Sequence, residues 1–295
     1  MANPKKSVPE NVSGNFFVDS TCIDCDTCRQ IAPTVFGEAA ETAFVAAQPR
    51  TVEDRRLALQ ALVSCPTGSI GCLGTNDPKS VLGDFPLAIE DPVYYCGFNS
   101  PKSYGGNSYF IRQPSGNWLI DSPKFLPQLV RRLESLGGVA NIFLTHRDDV
   151  ADAGRYAKHF ASRRLIHRAE LDSQPDAEVV LDGEAAMELA PGCLAIPTPG
   201  HTEGHTVLLF ENRFLFTGDH VYFDRHQRRL SASRDYCWDS WPRQIESVEK
   251  LTRYDFEWVL PGHGQRVHLP GDAMKRQLSE LGERMRVAAV SAESG

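Results

Sequence analysis

The stretch Cys22-Ile23-Asp24-Cys25-Asp26-Thr27-Cys28, joined much later by Cys65-Pro66, decides the fold of the N-terminal part of the chain. Three thiolates spaced in this way can hold one face of an iron–sulfur cubane, and a distant fourth cysteine can complete its ligands. A proline directly after a ligating cysteine belongs to the same pattern. These residues therefore predict an iron–sulfur cluster, and with it redox chemistry.

The sequence around the cysteines predicts a compact unit over residues 12–76. A short strand is expected at residues 16–18 and another near residues 69–70. Thr51-x-x-Asp54 is typical of a helix capping box, and apolar residues follow it at helical spacing over residues 52–63. We expect residues 1–11 to be a disordered lead. The proline-containing segment 77–92 is interpreted as a linker.

This unit resembles single-cluster bacterial ferredoxins. The resemblance rests on the cysteine triplet with the following Ile31-Ala32-Pro33, and on Cys65-Pro66-Thr67-Gly68-Ser69-Ile70. Because there is one triplet, the resemblance implies one cluster, bound by Cys22, Cys25, Cys28 and Cys65. With cysteine at all four positions, [4Fe–4S] is favoured over [3Fe–4S]. Zinc is the alternative, although zinc sites usually pair two Cys-x2–4-Cys motifs.

Composition and charge exclude several classes of protein. The 295 residues are enough for two domains, and the formal net charge of −7 argues against a nucleic-acid partner. No segment is apolar for long enough to cross a bilayer, and the N-terminus lacks the apolar core of a secretory signal. We therefore expect a cytoplasmic protein without a membrane partner. The remaining cysteines are interpreted as small apolar residues: Cys72, Cys96, Cys193 and Cys237.

After residue 92, short strand-like runs alternate irregularly with helical segments near residues 123–136, 150–160 and 242–253, which predicts an α/β layered domain. Several predicted strands end in histidine or aspartate beside glycine or proline. Imidazoles and carboxylates on rigid strand ends can converge on a divalent metal. The four motifs are Thr145-His146, Thr198-Pro199-Gly200-His201-Thr202-Glu203-Gly204-His205, Thr217-Gly218-Asp219 and Pro261-Gly262-His263-Gly264.

In their order and strand context these motifs resemble the metallo-β-lactamase superfamily over residues 93–270. The resemblance implies an αβ/βα sandwich, with a C-terminal helix and tail over 271–295. That family binds metal through Thr-His-x-His-x-Asp-His, a further His, a bridging Asp and a final His. Carried over by motif, His146 matches the first position, and His201, Asp219 and His263 match the last three, with Asp219 as the bridge.

The first motif departs from the family pattern. Read without gaps, Asp148 replaces the second His and Val150-Ala151 replace the Asp-His pair. Read with a two-residue insertion, Asp152 takes the Asp role. Either register leaves fewer imidazoles than the family has, which favours a mononuclear or asymmetric site for iron or zinc. We interpret Asp149 as a cap or supporting acid, and His205 as a structural residue.

Three functions remain open. The first is an oxidoreductase acting on a small molecule, in which the cluster exchanges electrons with the His/Asp centre or with a redox partner protein. The second is a thioester or lactone hydrolase similar to glyoxalase II, in which the cluster is structural or sensory. The third is a non-catalytic electron-transfer or binding module with a degenerate metal site. Tyr236, Trp238 and Trp241 are candidates for lining a substrate pocket.

Overall fold

The computed structural model describes residues 2–293 and divides the chain into two compact units. The first comprises the residues up to 141 together with 151–162, and the second comprises 142–150 and the residues from 163 onward. This division by compactness differs from the limits read from the sequence, because residues 87–141 belong with the N-terminal part. This division does not test the predicted domain limits at 12–76 and 93–270, which remain a prediction.

The N-terminal part of the first unit follows the sequence prediction closely. The first and fourth strands pair antiparallel, with Phe16 opposite Cys72. The long helix begins after Thr51, whose side chain and that of Asp54 form a complete capping box. The elements of this part are β1 (Phe16–Val18), α1 (Thr27–Ile31), β2 (Phe36–Ala39), β3 (Thr42–Val45), α2 (Val52–Ser64) and β4 (Ile70–Cys72).

The lead up to residue 11 is not the disordered segment expected from its sequence. Residues 4–6 form a 3-10 helix, and the Asn11 side chain bonds the backbone of two strands. Its Oδ1 accepts from Val18 N at 3.2 Å and from Val45 N at 2.8 Å. The second of these bonds joins residues 34 positions apart in sequence, which local composition does not reveal.

The rest of the first unit is a four-stranded antiparallel meander with two helices. Its strands pair in chain order, and the register places Tyr95 opposite Tyr109. All residues of the strands at 109–111 and 118–120 are buried, as expected for strands covered on both faces, whereas the strand at 87–90 is partly exposed. The elements are β5 (Leu87–Glu90), β6 (Val93–Tyr95), β7 (Tyr109–Ile111), β8 (Trp118–Ile120), α3 (Pro127–Ser135) and α4 (Ala153–Phe160).

The second unit contains a six-stranded sheet in the order β12-β13-β14-β15-β18-β19. Only the β15–β18 pair is parallel, and its register sets Gly218 beside Pro261. The residues that follow these two strands therefore leave the sheet at the same edge. The elements are β9 (Asn141–Phe143), β10 (Arg163–His167), β11 (Val179–Leu181), β12 (Met187–Ala190), β13 (Cys193–Pro197), β14 (Thr206–Phe210), β15 (Phe214–Gly218), β16 (Tyr222–Asp224), β17 (Arg229–Ser231), α5 (Trp241–Leu251), β18 (Trp258–Pro261), β19 (Val267–His268) and α6 (Gly271–Glu293).

Helices α5 and α6 cover one face of this sheet and close its core. Val248 and Leu251 of α5 are fully buried against sheet residues such as Val207 and Val259. Burying side chains of this size contributes roughly 1.5–3 kcal/mol each. This core holds the strand ends rigidly. Among residues 2–293, no helix is long and apolar enough to span a membrane.

Candidate cluster and metal sites

The four predicted cluster cysteines line a single pocket. Cys22, Cys25, Cys28 and Cys65 all contribute to its wall, together with small polar and apolar residues of the same unit. Backbone N–H groups of Asp24 and Ala43 each lie 3.4 Å from the Cys22 sulfur. The structure therefore brings together the full predicted set, which includes the cysteine that lies 37 positions after the triplet.

A buried arginine holds the cysteine loop in a tight turn. Asp24 and Asp26 both adopt left-handed backbone conformations, with φ of 54° and 64°. The Arg29 guanidinium, almost fully buried, bonds the Asp24 carboxylate at 2.5 Å and that of Asp26 at 2.6 Å. These ion pairs offset the cost of the left-handed turns and fix the spacing of the sulfurs.

The thiols of this pocket fit a cationic iron–sulfur group. Burial raises the pKa of Cys25 to about 11, and burial raises that of Cys28 well above its ordinary value. Each neighbouring cysteine adds to this rise because several thiolates would repel one another. Four clustered sulfurs become stable as thiolates only when a positive centre binds them, and a [4Fe–4S] cluster supplies that centre.

The second candidate site lies where strands of the second unit end. Leu144 and Thr145 join this edge through backbone bonds to Leu165 and Thr206. Gly262 N donates to Gly218 O at 2.8 Å, so the turns after β15 and β18 are in direct contact. Residues far apart in sequence thus leave the sheet side by side, and their polar side chains converge.

His146, His201 and Asp148 form the first group of ligand atoms. The Nε2 atoms of His146 and His201 lie 3.8 Å and 3.7 Å from Asp148 Oδ2, and the ligand atoms of the three residues lie within 4.8 Å of one another. Both histidines are buried, whereas Asp148 is part-exposed. His201 Nε2 has no hydrogen-bond partner in the described part of the chain. A buried, unpartnered nitrogen facing a carboxylate fits a metal ion between them.

Asp149, Asp219 and His263 form an adjacent, more acidic group. His263 Nδ1 lies 2.8 Å and 2.9 Å from the two Asp219 oxygens. Asp219 Oδ2 is also 3.6 Å from His146 Nε2 and 3.7 Å from His201 Nε2, as expected of a bridging ligand. A Cβ atom on Gly262 would lie 2.5 Å from Asp149 and 2.7 Å from Asp219. An alanine at this position would therefore force the Asp149 and Asp219 carboxylates to move.

The buried Asp149 and the part-buried Asp219 need a proton or a cation. Neither oxygen of Asp149 has a hydrogen-bond partner among residues 2–293. Burial, with added repulsion from Asp219, raises the pKa of Asp149 to about 6. Burial also opposes ionisation of Asp219, but the charges of His263 and His146 hold its pKa well below the ordinary value. A bound divalent ion would satisfy both acids, so the residues present fit a metal.

Hydroxyl groups orient the histidines from behind. Thr145 Oγ1 lies 2.9 Å from His146 Nδ1, which turns Nε2 toward the site. Thr198 Oγ1 makes the equivalent contact with His205 Nδ1 at 2.9 Å. His205 and His220 are fully buried with rings stacked at 5.4 Å, and burial lowers the pKa of His220 to about 3. Both therefore stay neutral and support the site.

The structure does not bring Asp152 to this centre. Its carboxylate accepts from Lys102 Nζ at 2.7 Å and from Phe125 N at 2.9 Å, within the first unit. The charge of Asp152 is thus neutralised by Lys102 in the first unit. The register with a two-residue insertion therefore places no aspartate at this position of the centre. The geometry instead supports the gapless register, in which Asp148 stands in for the second histidine.

Asp149 is the residue whose role the sequence interpretation missed. A 3-10 turn over Arg147–Asp149 follows His146, so both Asp148 and Asp149 face the site. The signal for this role in the sequence is the acidic pair Asp148-Asp149, which begins two positions after His146. His146, Asp149 and Asp219 place ligand atoms within 4.8 Å of one another.

Of the three candidate pocket aromatics, two are exposed beside the site. The backbone N–H of Trp238 donates to His201 O at 2.8 Å, which pins this loop to a candidate ligand. Tyr236 and Trp238 are each 64% exposed, and their rings meet edge to face at 6.1 Å. Trp241 instead packs against the core of the second unit. The loop therefore offers two aromatic surfaces, and not three.

Comparison with known proteins agrees with both halves. A model of the single-cluster 4Fe-4S domain of ferredoxin I matches residues 18–72, and a model of the metallo-β-lactamase superfamily matches residues 87–283. The four cluster cysteines lie within the first match, and all the His/Asp candidates lie within the second.

Several solved structures share the fold of this chain. The DIM-1 metallo-β-lactamase is 16% identical with a TM-score of 0.52, covering 67% of this chain and 95% of its own. VMB-1 is 19% identical with a TM-score of 0.51, covering 68% and 96%. A metallo-β-lactamase family protein from Thermus thermophilus is 16% identical with a TM-score of 0.50, covering 68% and 81%. At these identities the likeness shows the fold alone. The chain belongs to the metallo-β-lactamase superfamily and carries a single-cluster 4Fe-4S ferredoxin domain at its N-terminus.

Proposed function

We propose that this protein is an iron–sulfur oxidoreductase in which the cluster exchanges single electrons with the His/Asp centre. The observation that carries the proposal is the ligand group His146, Asp148 and His201, in a chain that also carries four cluster cysteines. Two imidazoles and one carboxylate are the ligand set of non-haem iron oxygenases, and some hydrolytic zinc enzymes use the same set. The four cluster cysteines in the same chain favour iron, because iron can exchange electrons with a cluster. A redox-active metal at the His/Asp centre can accept electrons from the cluster.

The second ligand group makes the centre asymmetric. Asp219 lies between the two groups, and Asp149 and His263 complete the more acidic one. We propose that the His146 group binds iron and that the acidic group binds a second ion more weakly, or a proton in its place. When bound, a metal here supplies Lewis acidity and, if it is iron, one-electron chemistry.

The protein's own residues prepare the site for this chemistry. Thr145 holds the candidate ligand His146 by its Nδ1 atom, and Thr198 holds the neighbouring His205 in the same way. When no cation is bound, Asp149 can hold a proton inside the buried part of the site, because burial and repulsion from Asp219 raise its pKa to about 6. Trp238 and Tyr236 offer aromatic surface to the apolar part of a small-molecule substrate. A redox partner protein would exchange electrons with the cluster.

Metal analysis combined with EPR of anaerobically purified protein tests this function. The proposal predicts cluster iron plus about one further iron per chain, with the extra iron lost in Asp148→Ala and retained in Asp152→Ala. The second substitution is a matched control because Asp152 is bound to Lys102. Cluster iron alone in the wild-type protein would contradict the proposal and would favour a non-catalytic electron-transfer module.

A hydrolase is the second candidate, favoured by the two adjoining ligand groups and by Asp219 between them. In that case the centre would hold zinc, and the cluster would have a structural or sensory role. Two zinc ions per chain with esterase or thioesterase activity, unaffected by reduction of the cluster, would establish this function in place of the first.

A further inference from the structure

Residues that follow the ferredoxin-like segment contact the cluster loop directly. Asn99 is fully buried, and its backbone N–H donates to Ser64 O at 3.2 Å, next to Cys65. Gly105 lies against Cys25 so closely that a Cβ there would be 2.7 Å from the Cys25 Cβ and 3.1 Å from its sulfur. Both residues lie outside the matched ferredoxin segment, 18–72, but inside the same compact unit.

A buried chain of hydrogen bonds leads from Asn99 to a cluster sulfur. Asn99 Nδ2 lies 2.6 Å from Gly105 O and 2.9 Å from Thr27 Oγ1, which in turn lies 3.4 Å from Cys25 Sγ. The Gly105 carbonyl can only accept, so the nitrogen of the Asn99 amide faces it and Thr27. The Thr27 hydroxyl therefore accepts from Asn99. Its own proton is then directed at the sulfur when Cys25 is a thiolate.

A lysine adds positive charge beside the fourth cluster cysteine, Cys65. Lys124 Nζ donates to Pro66 O at 2.7 Å and lies 3.5 Å from Cys65 O. Its backbone N–H bonds Phe98 O at 2.9 Å, so the segment that carries Asn99 also positions Lys124. The ammonium is about half-buried and so is only partly screened by solvent.

We propose that Asn99, acting through Thr27, and Lys124 raise the reduction potential of the cluster. A cluster gains one negative charge when it takes up an electron. Hydrogen bonds to its sulfurs and nearby positive charge stabilise that reduced state, and so make reduction more favourable. In this protein the metallo-β-lactamase segment sets the potential of the ferredoxin-like cluster. The inference rests on the cluster site and not on the proposed electron exchange with the His/Asp centre.

An EPR-monitored redox titration with dithionite as the electron donor tests the proposal. Thr27→Val removes the hydroxyl with little change of volume, and Lys124→Met removes the charge while keeping a long side chain. Each is expected to shift the ratio of reduced to oxidised cluster by about tenfold at a fixed potential, toward the oxidised form. For a one-electron couple, tenfold corresponds to about 59 mV. Thr27→Ser should restore the wild-type ratio.

If Asn99 acts by orienting the Thr27 hydroxyl, the effects of changing the two residues should not add. Asn99→Ala should shift the ratio in the same direction, and Thr27→Val with Asn99→Ala should shift it no further than Thr27→Val alone. Lys124→Met should instead add to either change. Lys158→Met, which removes an exposed lysine of α4, is the control and should leave the ratio unchanged.

Iron content and the EPR signal of each variant confirm that the cluster is present. An unchanged ratio in both Thr27→Val and Lys124→Met, with the cluster intact, overturns the proposal. If Thr27→Val fails to bind the cluster, Asn99→Ala and Lys124→Met decide, and unchanged ratios in both of them overturn it. Because the titration follows the cluster, its result does not depend on which metal the His/Asp centre binds.

Discussion

The two candidate metal sites of this chain are built in opposite ways. The cluster site takes three of its four ligands from seven consecutive residues, whereas the His/Asp centre gathers its candidates from positions 146 to 263. The first depends on local spacing and a tight turn. The second depends on a sheet whose parallel pair ends side by side at Gly218 and Pro261. The spacing of the cysteines is visible in the sequence, whereas the convergence of the distant His and Asp residues is visible only in the structure.

The largest effect is expected when a cluster cysteine is replaced, in contrast to a cysteine outside the cluster site. Cys65→Ser should abolish binding of the cluster, because the fourth thiolate is lost while three remain. Loss of the visible charge-transfer absorption and of cluster iron is the measurement. Cys72→Ser is the matched control: Cys72 is the last residue of β4 and does not line the cysteine pocket, so this variant should keep the full cluster. Cluster loss in both would show that our set of ligands is wrong.

The second-largest effect decides which of Asp148 and Asp152 is a metal ligand, a choice that the sequence does not make. Asp148→Ala should remove the metal bound by His146 and His201, because the group loses its carboxylate. Asp152→Ala should keep that metal but lower the free energy of unfolding by about 1–3 kcal/mol, since Lys102 and Phe125 N lose a charged partner. Metal content and urea unfolding measure the two outcomes. The reverse pattern would restore the register with an insertion.

These two aspartates also show how far sequence reasoning reached. The cysteine set, helix α2 and the strands β1 and β4 follow from spacing and capping, which act over a few residues. The choice between Asp148 and Asp152 depends on one 3-10 turn over Arg147–Asp149, and that turn was not predicted. Asn11 and Asn99 act through bonds to distant residues, so no local pattern reports their roles.

A smaller effect is expected from crowding the acidic group. Gly262→Ala places a methyl group against Asp149 and Asp219, and should weaken metal binding at that group by roughly tenfold or more. Gly271→Ala is the control in the same unit, because a Cβ there meets nothing within 4 Å. Competition with a metal chelator measures the affinity of each variant. Equal affinities would mean that Asp149 does not take part in metal binding.

The smallest effect comes from the hydroxyls behind the histidines. Thr145→Val removes the contact with His146 Nδ1 and should lower metal affinity by about tenfold, because the imidazole is no longer held in one orientation. Thr198→Val removes the matching contact with His205, which is not a candidate ligand, and should have less effect. Chelator competition again gives the comparison. A larger loss of metal affinity in Thr198→Val than in Thr145→Val would indicate that His205 is a metal ligand.

The proposed exchange of electrons between the cluster and the His/Asp centre requires that both accept electrons, and a stoichiometric reductive titration of the anaerobic, fully oxidised protein measures this. The wild-type protein should take up one electron for the cluster and a further one for the centre. Asp148→Ala, with its cluster intact, should take up only the first. If the wild-type protein binds metal at the centre and still accepts a single electron, identical to Asp148→Ala, the centre is not redox-active and the claim is contradicted.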